Sequence, residues 1–175
     1  SRIRPHMLRR RTDEVILDLP ELENVDLVVE LTDRQREAYK LAETEGVVAL
    51  NEKGDTITVQ HVFALIQKLI KLCNFDAESG ESAKLARLAE DLEEIVDSGR
   101  KALVFSQFVA PPWGLKQLAL MLPDHCESET PVVCVSMHGE VRPGERESNV
   151  RRFREDPAIN VMLLNYRVGG VGLNL

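Results

Sequence analysis

The sequence predicts an α/β domain with a mostly parallel sheet and helices on both faces. Three short apolar runs each end in polar or glycine residues, as buried parallel strands do where they reach a site. The runs are KALVFSQF at 101–108, VVCVSMHGE at 132–140 and VMLLNYRVGG at 161–170. Segments with helical periodicity separate them, and this alternation favours crossover connections between parallel strands.

The chain before these runs is predicted to contain a linker, one strand and two helices. Residues 1–24 have a basic start and too few periodic apolar residues for a helix, which indicates a linker. Val25 to Leu31 alternates as a half-buried strand does. Thr32 and Gln35 then form a capping box for a helix that should end before Gly54.

A second helix is predicted from Thr58 to Cys73, with apolar residues on one side. Such a stripe indicates either core packing or a contact with another lobe. Its members are Val62, Phe63, Ile66, Leu69, Ile70 and Cys73.

The remaining helices follow from periodicity and from their end signals. The helix carrying Leu85, Leu88 and Leu92 should stop at Gly99, where glycine suits a helix C-terminus. The strand Ala102 to Phe105 comes next, followed by a helix after Pro111-Pro112. The strand Val132 to Ser136 precedes a charged helix that starts at Pro143 and packs Phe153.

Composition restricts the classes of partner. The 175 residues include 29 acidic and 22 basic side chains, a net charge of −7. Any nucleic-acid-binding surface must therefore be a local patch of positive charge. The three cysteines show no CxxC spacing, which indicates neither a disulfide framework nor a zinc site. No signal peptide and no apolar run of membrane-spanning length is present. These features predict a cytoplasmic protein in a bacterium or a nuclear one in a eukaryote, and not a secreted one.

The motifs KALVFSQF, MHGE with a following RRF helix, and LLNYRVGGVGLNL together resemble the second motor lobe of Swi/Snf-related ATPases of helicase superfamily two. The resemblance covers nearly the whole chain and implies a RecA-like C-terminal lobe. It divides the chain into a linker from the first lobe (1–24), a first strand with a helical insertion (25–80), and the second lobe, incomplete at its C-terminal end (81–175). Asn165 and Tyr166 stand where that family commonly has a small hydroxylated pair.

The resemblance also assigns roles to residues at the strand ends. Gly170, Gly172 and Asn174 match the glycine-rich motif that contacts the nucleotide, with Asn174 facing the ribose. A second group would lie near the DNA backbone. Its members are Ser106, Gln107, His138, Gly139 and Arg167.

The residues themselves leave structural alternatives open. The glycines could form only a tight turn. His138 could cap a local turn, Gln107 could satisfy buried backbone groups, and Arg167 could be an ordinary surface arginine. Hydroxyl, amide and arginine donors nevertheless suit phosphate contacts that are independent of base sequence.

The sequence contains no GxxxxGK[ST] phosphate loop, so ATP and Mg²⁺ are expected to be bound mainly by a first motor lobe outside this chain. The chain is also expected to stop before the family's catalytic arginines, so that it is inactive alone and holds no catalytic residue or metal site. Double-stranded DNA and the first lobe are the implied partners, without a membrane, and an uncovered edge could cause self-association. The alternatives are an RNA helicase lobe of the same superfamily or a protein-interaction module with the same fold.

Overall fold

The computed structural model describes residues 23–169, except for the side chains of Asp55 and Gly169. Nearly all of the predicted linker, 1–24, lies outside this range. Three predicted nucleotide contacts lie outside it as well: Gly170, Gly172 and Asn174.

Two helices, α1 (Asp33–Lys53) and α2 (Val59–Asn74), pack against each other as a hairpin. The predicted capping box is confirmed, because the Gln35 amide N–H donates to Thr32 Oγ1 at 3.2 Å and the Thr32 amide donates back to Gln35 Oε1. The first helix ends at Gly54, whose φ of 49° is a left-handed conformation that glycine adopts without strain. Both helix predictions are therefore confirmed.

The strand predicted for Val25 to Leu31 is wrong. This segment has no regular secondary structure and pairs with no strand, and Val28 is 93% exposed. All strands within residues 23–169 lie between Ala102 and Asn165. Alternation favours a strand only where a neighbouring strand can accept its backbone hydrogen bonds, and none in the described range lies beside this segment.

The apolar stripe of α2 does not belong to the core. Phe63 is 59% exposed and Ile66 is 46% exposed, and no residue of α2 is fully buried. Of the two interpretations of the stripe, core packing is thus wrong for these residues. Contact with another lobe stays a prediction.

The sheet contains three parallel strands, β1 (Ala102–Ser106), β2 (Cys134–Met137) and β3 (Val161–Asn165). Their order is β1-β3-β2, so that the last strand in sequence lies at the centre. Ser106 pairs with Asn165, and Met137 pairs with Leu164. The carboxyl ends of all three strands therefore lie at one edge of the sheet, as predicted.

Helices cover both faces of the sheet. The face formed by Val161 and Leu163 packs against α3 (Ala83–Asp97) and α4 (Leu115–His125). The opposite face, with Met162 and Leu164, packs against Phe153 of α5 (Pro143–Glu155). The four apolar side chains of β3, those of residues 161–164, are 0% exposed, so the central strand is apolar on both sides up to its last residue. The predicted fold class is confirmed. Within the described residues, no helix combines the length and apolar character needed to cross a membrane.

Gln35 attaches the helical hairpin to the domain. Its side chain is 0% exposed, and its Nε2 donates to the Leu72 carbonyl at 2.9 Å. Its Oε1 accepts from the Ala83 amide at 3.0 Å. A single buried amide thereby connects the start of α1 with the end of α2 and the start of α3.

Replacing Gln35 with alanine is expected to lower the free energy of unfolding by about 2–3 kcal/mol, because two partly buried backbone groups lose their partner and the buried side chain leaves a cavity. Urea denaturation measures this change. Gln60→Ala, an exposed position on α2, is the matched control and should change stability by less than about 0.5 kcal/mol. Equal effects of the two substitutions would show that the buried amide is not the anchor.

Candidate functional site

A cleft of about 480 Å³ opens at the carboxyl ends of the strands. Its walls come from the loop after β1, the turn after β2, the single helical turn α6 (Tyr166–Gly169) that follows β3, and one side chain from α2. The lining residues are Lys71, Gln107, Phe108, Val109, Ala110, Pro111, Trp113, Gly139, Glu140, Asn165, Arg167 and Val168.

Asn165 holds two walls of the cleft together. Its side-chain Nδ2 donates to the carbonyls of Ser106 at 3.0 Å and Gln107 at 3.1 Å. Its Oδ1 accepts from the Arg167 amide at 3.2 Å. Since Asn165 is only 6% exposed, its side-chain amide is largely shielded from water and satisfied by these three bonds. The end of β1 and the start of α6 are thus fixed relative to each other.

The loop after β1 is folded against the start of α4. The carbonyls of Phe108 and Val109 accept from the amides of Leu115 and Lys116 at 3.1 and 3.0 Å. A Cβ on Gly114 would lie 2.6 Å from backbone atoms of both loop residues. Glycine is therefore required here for the close approach that shapes this wall.

Three of the five residues predicted to lie near DNA line the same cleft: Gln107, Gly139 and Arg167. The side chains of Gln107 and Arg167 are exposed. Gln107 does not use its side-chain amide to satisfy buried backbone in the described range; its main-chain carbonyl instead accepts from Asn165. Both side chains are available to a ligand.

Ser106 and His138 lie apart from that cleft. Ser106 Oγ accepts from the Phe108 amide at 3.1 Å and borders an adjacent pocket on the other side of Trp113. His138 is 6% exposed and borders a separate polar pocket beside Asn149. The sequence placed all five residues at one edge, whereas the structure distributes them over three concave surfaces.

Burial lowers the pKa of the His138 imidazole, and Glu140 partly opposes that shift. The ring therefore favours its neutral form. Its Nδ1 has no hydrogen-bond partner among residues 23–169, so the structure gives no support for the alternative that this nitrogen caps a local turn.

The cleft carries local positive charge in an acidic chain. Lys71 and Arg167 line it, and neither forms an ion pair with a carboxylate of residues 23–169. Glu140 is the one acid in the lining, and it is paired with Lys116. The hydrogen bond from Lys116 lowers the pKa of Glu140, so this carboxylate stays ionised and its charge is compensated.

Sequence reasoning missed three residues of the site: Asn165, Lys71 and Trp113. Asn165 had a usable signal, because a polar residue ends an entirely apolar strand. No sequence signal indicated Lys71 as a site residue, since it lies 36 positions before Gln107 on a helix assigned to an insertion. Only tertiary packing brings that helix to the sheet edge.

Neither the nucleotide contacts nor a metal site can be built from the described residues. The predicted contacts Gly170, Gly172 and Asn174 lie outside them. Within residues 23–169, no group of three or more His, Cys, Asp or Glu side chains is arranged to hold a metal ion.

Comparison with known proteins identifies the family. The helicase conserved C-terminal domain matches residues 83–175, which is more than half of the chain. Protein CHROMATIN REMODELING 4 of Arabidopsis thaliana is 29% identical over 192 residues, covering 99% of this chain and 8% of that protein. This chain therefore spans only a small part of that curated relative.

The chain is also similar to solved structures of Swi/Snf-related ATPases. The C-terminal domain of the Sulfolobus solfataricus SWI2/SNF2 ATPase has a TM-score of 0.65 and 25% identity, over 84% of this chain and 64% of that one. The core of that ATPase in complex with double-stranded DNA has a TM-score of 0.65 and 25% identity, over 93% and 35% of the two chains. The chain therefore belongs to the helicase conserved C-terminal domain family, as a C-terminal lobe of the Swi/Snf-related type.

Proposed function

We propose that this chain is the second motor lobe of a DNA-dependent ATPase that moves along duplex DNA, and that it hydrolyses ATP only together with a first lobe. The observation that carries the proposal is the cleft at the strand ends. There, exposed Gln107 and Arg167 stand beside Lys71, and no carboxylate of residues 23–169 pairs with either cation, in a chain of net charge −7. Such a site suits a phosphate backbone and no particular base sequence.

The arrangement of the cleft explains how binding and nucleotide state would be linked. Arg167 begins the segment that leads to Gly170, Gly172 and Asn174, the proposed nucleotide contacts. Asn165 joins the start of this segment to the end of β1. A shift of the segment on ATP binding would therefore move Arg167 together with Gln107, and both proposed DNA contacts would respond.

ATP and Mg²⁺ are the proposed cofactors, with most of their ligands on the first lobe. The chain has no phosphate loop, and its described residues offer no metal-binding cluster. The lobe's own contribution would be to hold the ribose through Asn174 and to position duplex DNA.

We expect variants of the proposed DNA contacts and of the proposed nucleotide contact to show different kinetic defects in the full-length protein. Gln107→Ala and Arg167→Ala should weaken DNA binding irrespective of sequence and lower DNA-stimulated ATP turnover, with the salt slope falling by about one for Arg167→Ala. Asn174→Ala should lower turnover even without DNA. ATPase rate against DNA concentration measures both effects. Equal losses of basal and stimulated turnover in all three variants would instead indicate residues that only hold the loop in shape.

Comparison of nucleic acids separates the competing functions. Duplex DNA should stimulate turnover and bind more tightly than duplex or single-stranded RNA at the same salt concentration. Preference for RNA would indicate the RNA helicase lobe. If the protein binds neither DNA nor RNA, and Gln107→Ala and Arg167→Ala both match wild type, a protein-interaction module is favoured.

The 175-residue chain alone is expected to release no phosphate from ATP above background, with or without duplex DNA, because it has no phosphate loop. A phosphate-release assay across successive purification steps tests this. Specific activity that rises with purity would contradict its assignment as an incomplete motor.

Asn165→Ala is expected to destabilise the domain by about 1–3 kcal/mol and to speed amide exchange of Arg167, because its buried hydrogen bonds are lost. Asn160→Ala is the matched control. Asn160 is also buried and hydrogen-bonds to Val133 and Pro131 at the opposite end of β3. That variant should lose similar stability but leave exchange at Arg167 and DNA affinity close to wild type. If both variants weaken DNA binding equally, lost stability and not local positioning explains the effect.

A further inference from the structure

Lys71 is a cation of the cleft that belongs to the helical hairpin and not to the sheet. It lies on α2 and lines the cleft together with Arg167. Its Nζ is 5.0 Å from the centre of the Trp113 ring and 5.8 Å from the centre of the Phe108 ring. Ammonium groups at these distances are attracted to the ring faces, which limits the positions of an otherwise flexible side chain.

The hairpin is held in the position that this contact requires. Asn74 Nδ2, at the end of α2, donates to the Trp113 carbonyl at 3.1 Å. Gln35 connects the same end of α2 to the start of α3. The Lys71 ammonium is therefore placed at the cleft by two contacts at the end of α2, one through Leu72 and one through Asn74.

The N–H donors of the Lys71 ammonium are not used by the described residues. Its Nζ forms no hydrogen bond or ion pair with residues 23–169, and the nearby carboxylate of Glu140 is paired with Lys116. A lysine ammonium offers three N–H donors and a compact charge. Packing against two rings accounts for its position but leaves these donors without an acceptor in the described part of the chain.

We propose that Lys71 binds a backbone phosphate of the duplex in this cleft, with Phe108 and Trp113 positioning its ammonium. The inference rests on the proposed function, because it takes duplex DNA as the ligand. It adds a contact from the helical hairpin, so that the hairpin takes part in DNA binding directly. Lys71 and Arg167 would hold the same backbone from opposite walls.

The test uses the full-length protein and measures DNA affinity as a function of salt concentration. Lys71→Met keeps the apolar stem and removes the charge, so affinity should fall several-fold and the salt slope should decrease by about one. Lys71→Arg should restore the slope. Lys68→Met, an exposed lysine one turn earlier on α2, is the matched control and should match wild type.

The wild-type protein gives a second measurement that does not depend on how a variant folds. Reductive methylation, quantified by mass spectrometry, should modify Lys71 more slowly when saturating duplex DNA is present, and Lys68 at an unchanged rate. Equal modification of Lys71 with and without DNA would overturn the proposal.

Arg167→Ala in the same salt series separates this inference from the proposed function. If Arg167→Ala lowers the slope and Lys71→Met does not, the cleft binds DNA without Lys71 and only the inference fails. If neither variant changes the slope, the cleft is not the DNA site and both proposals fail. If both lower it, the double variant should lose about two units, since separate phosphate contacts release separate counterions.

Discussion

The buried amide of Asn165 is the interaction on which the geometry of the strand-end cleft depends. A side chain with one acceptor and two donors satisfies three backbone groups at the point where the central strand ends. A small hydroxyl at the same position could not reach both carbonyls and the amide together. The amide therefore fixes the spacing of Gln107 and Arg167.

The helical hairpin is also held in position by side-chain amides that hydrogen-bond to backbone groups. Gln35 satisfies the Leu72 carbonyl and the Ala83 amide, and Asn74 reaches the Trp113 carbonyl. Because α2 has no fully buried residue, apolar packing alone gives this helix little reason to keep one position. These two side-chain amides, of which Gln35 is buried, supply that constraint and leave the stripe with Phe63 and Ile66 exposed. The hairpin can thus present Lys71 to the cleft and an apolar surface elsewhere.

The strands of the sheet and the helices that cover it could be predicted from the sequence, because their local sequence patterns agree with their packing in the fold. The apolar run of β3 has no period, yet its length and its polar end identify a buried strand that both helix layers cover. For Val25 to Leu31 the local pattern was strand-like, but strand formation needs a partner that local pattern does not supply. At the site, Gln107 and Arg167 were predictable as strand-end residues. Lys71 was not, since its role depends on aromatic rings more than 35 positions later in the chain.

Net charge is a poor guide to this domain because some of its acids are engaged in structural hydrogen bonds away from the cleft. The acids at the end of α3 lie at the amino ends of the strands. There Glu93 accepts from the Glu127 amide at 2.7 Å, and Asp97 accepts from the Thr130 amide at 3.0 Å. These carboxylates bind the loop that leads into β2 and so have a structural role of their own. Lys71 and Arg167 lie at the opposite end, where the strands finish. An overall charge of −7 is therefore compatible with a nucleic-acid site, provided that its cations keep the positions that Asn165 and the two rings give them.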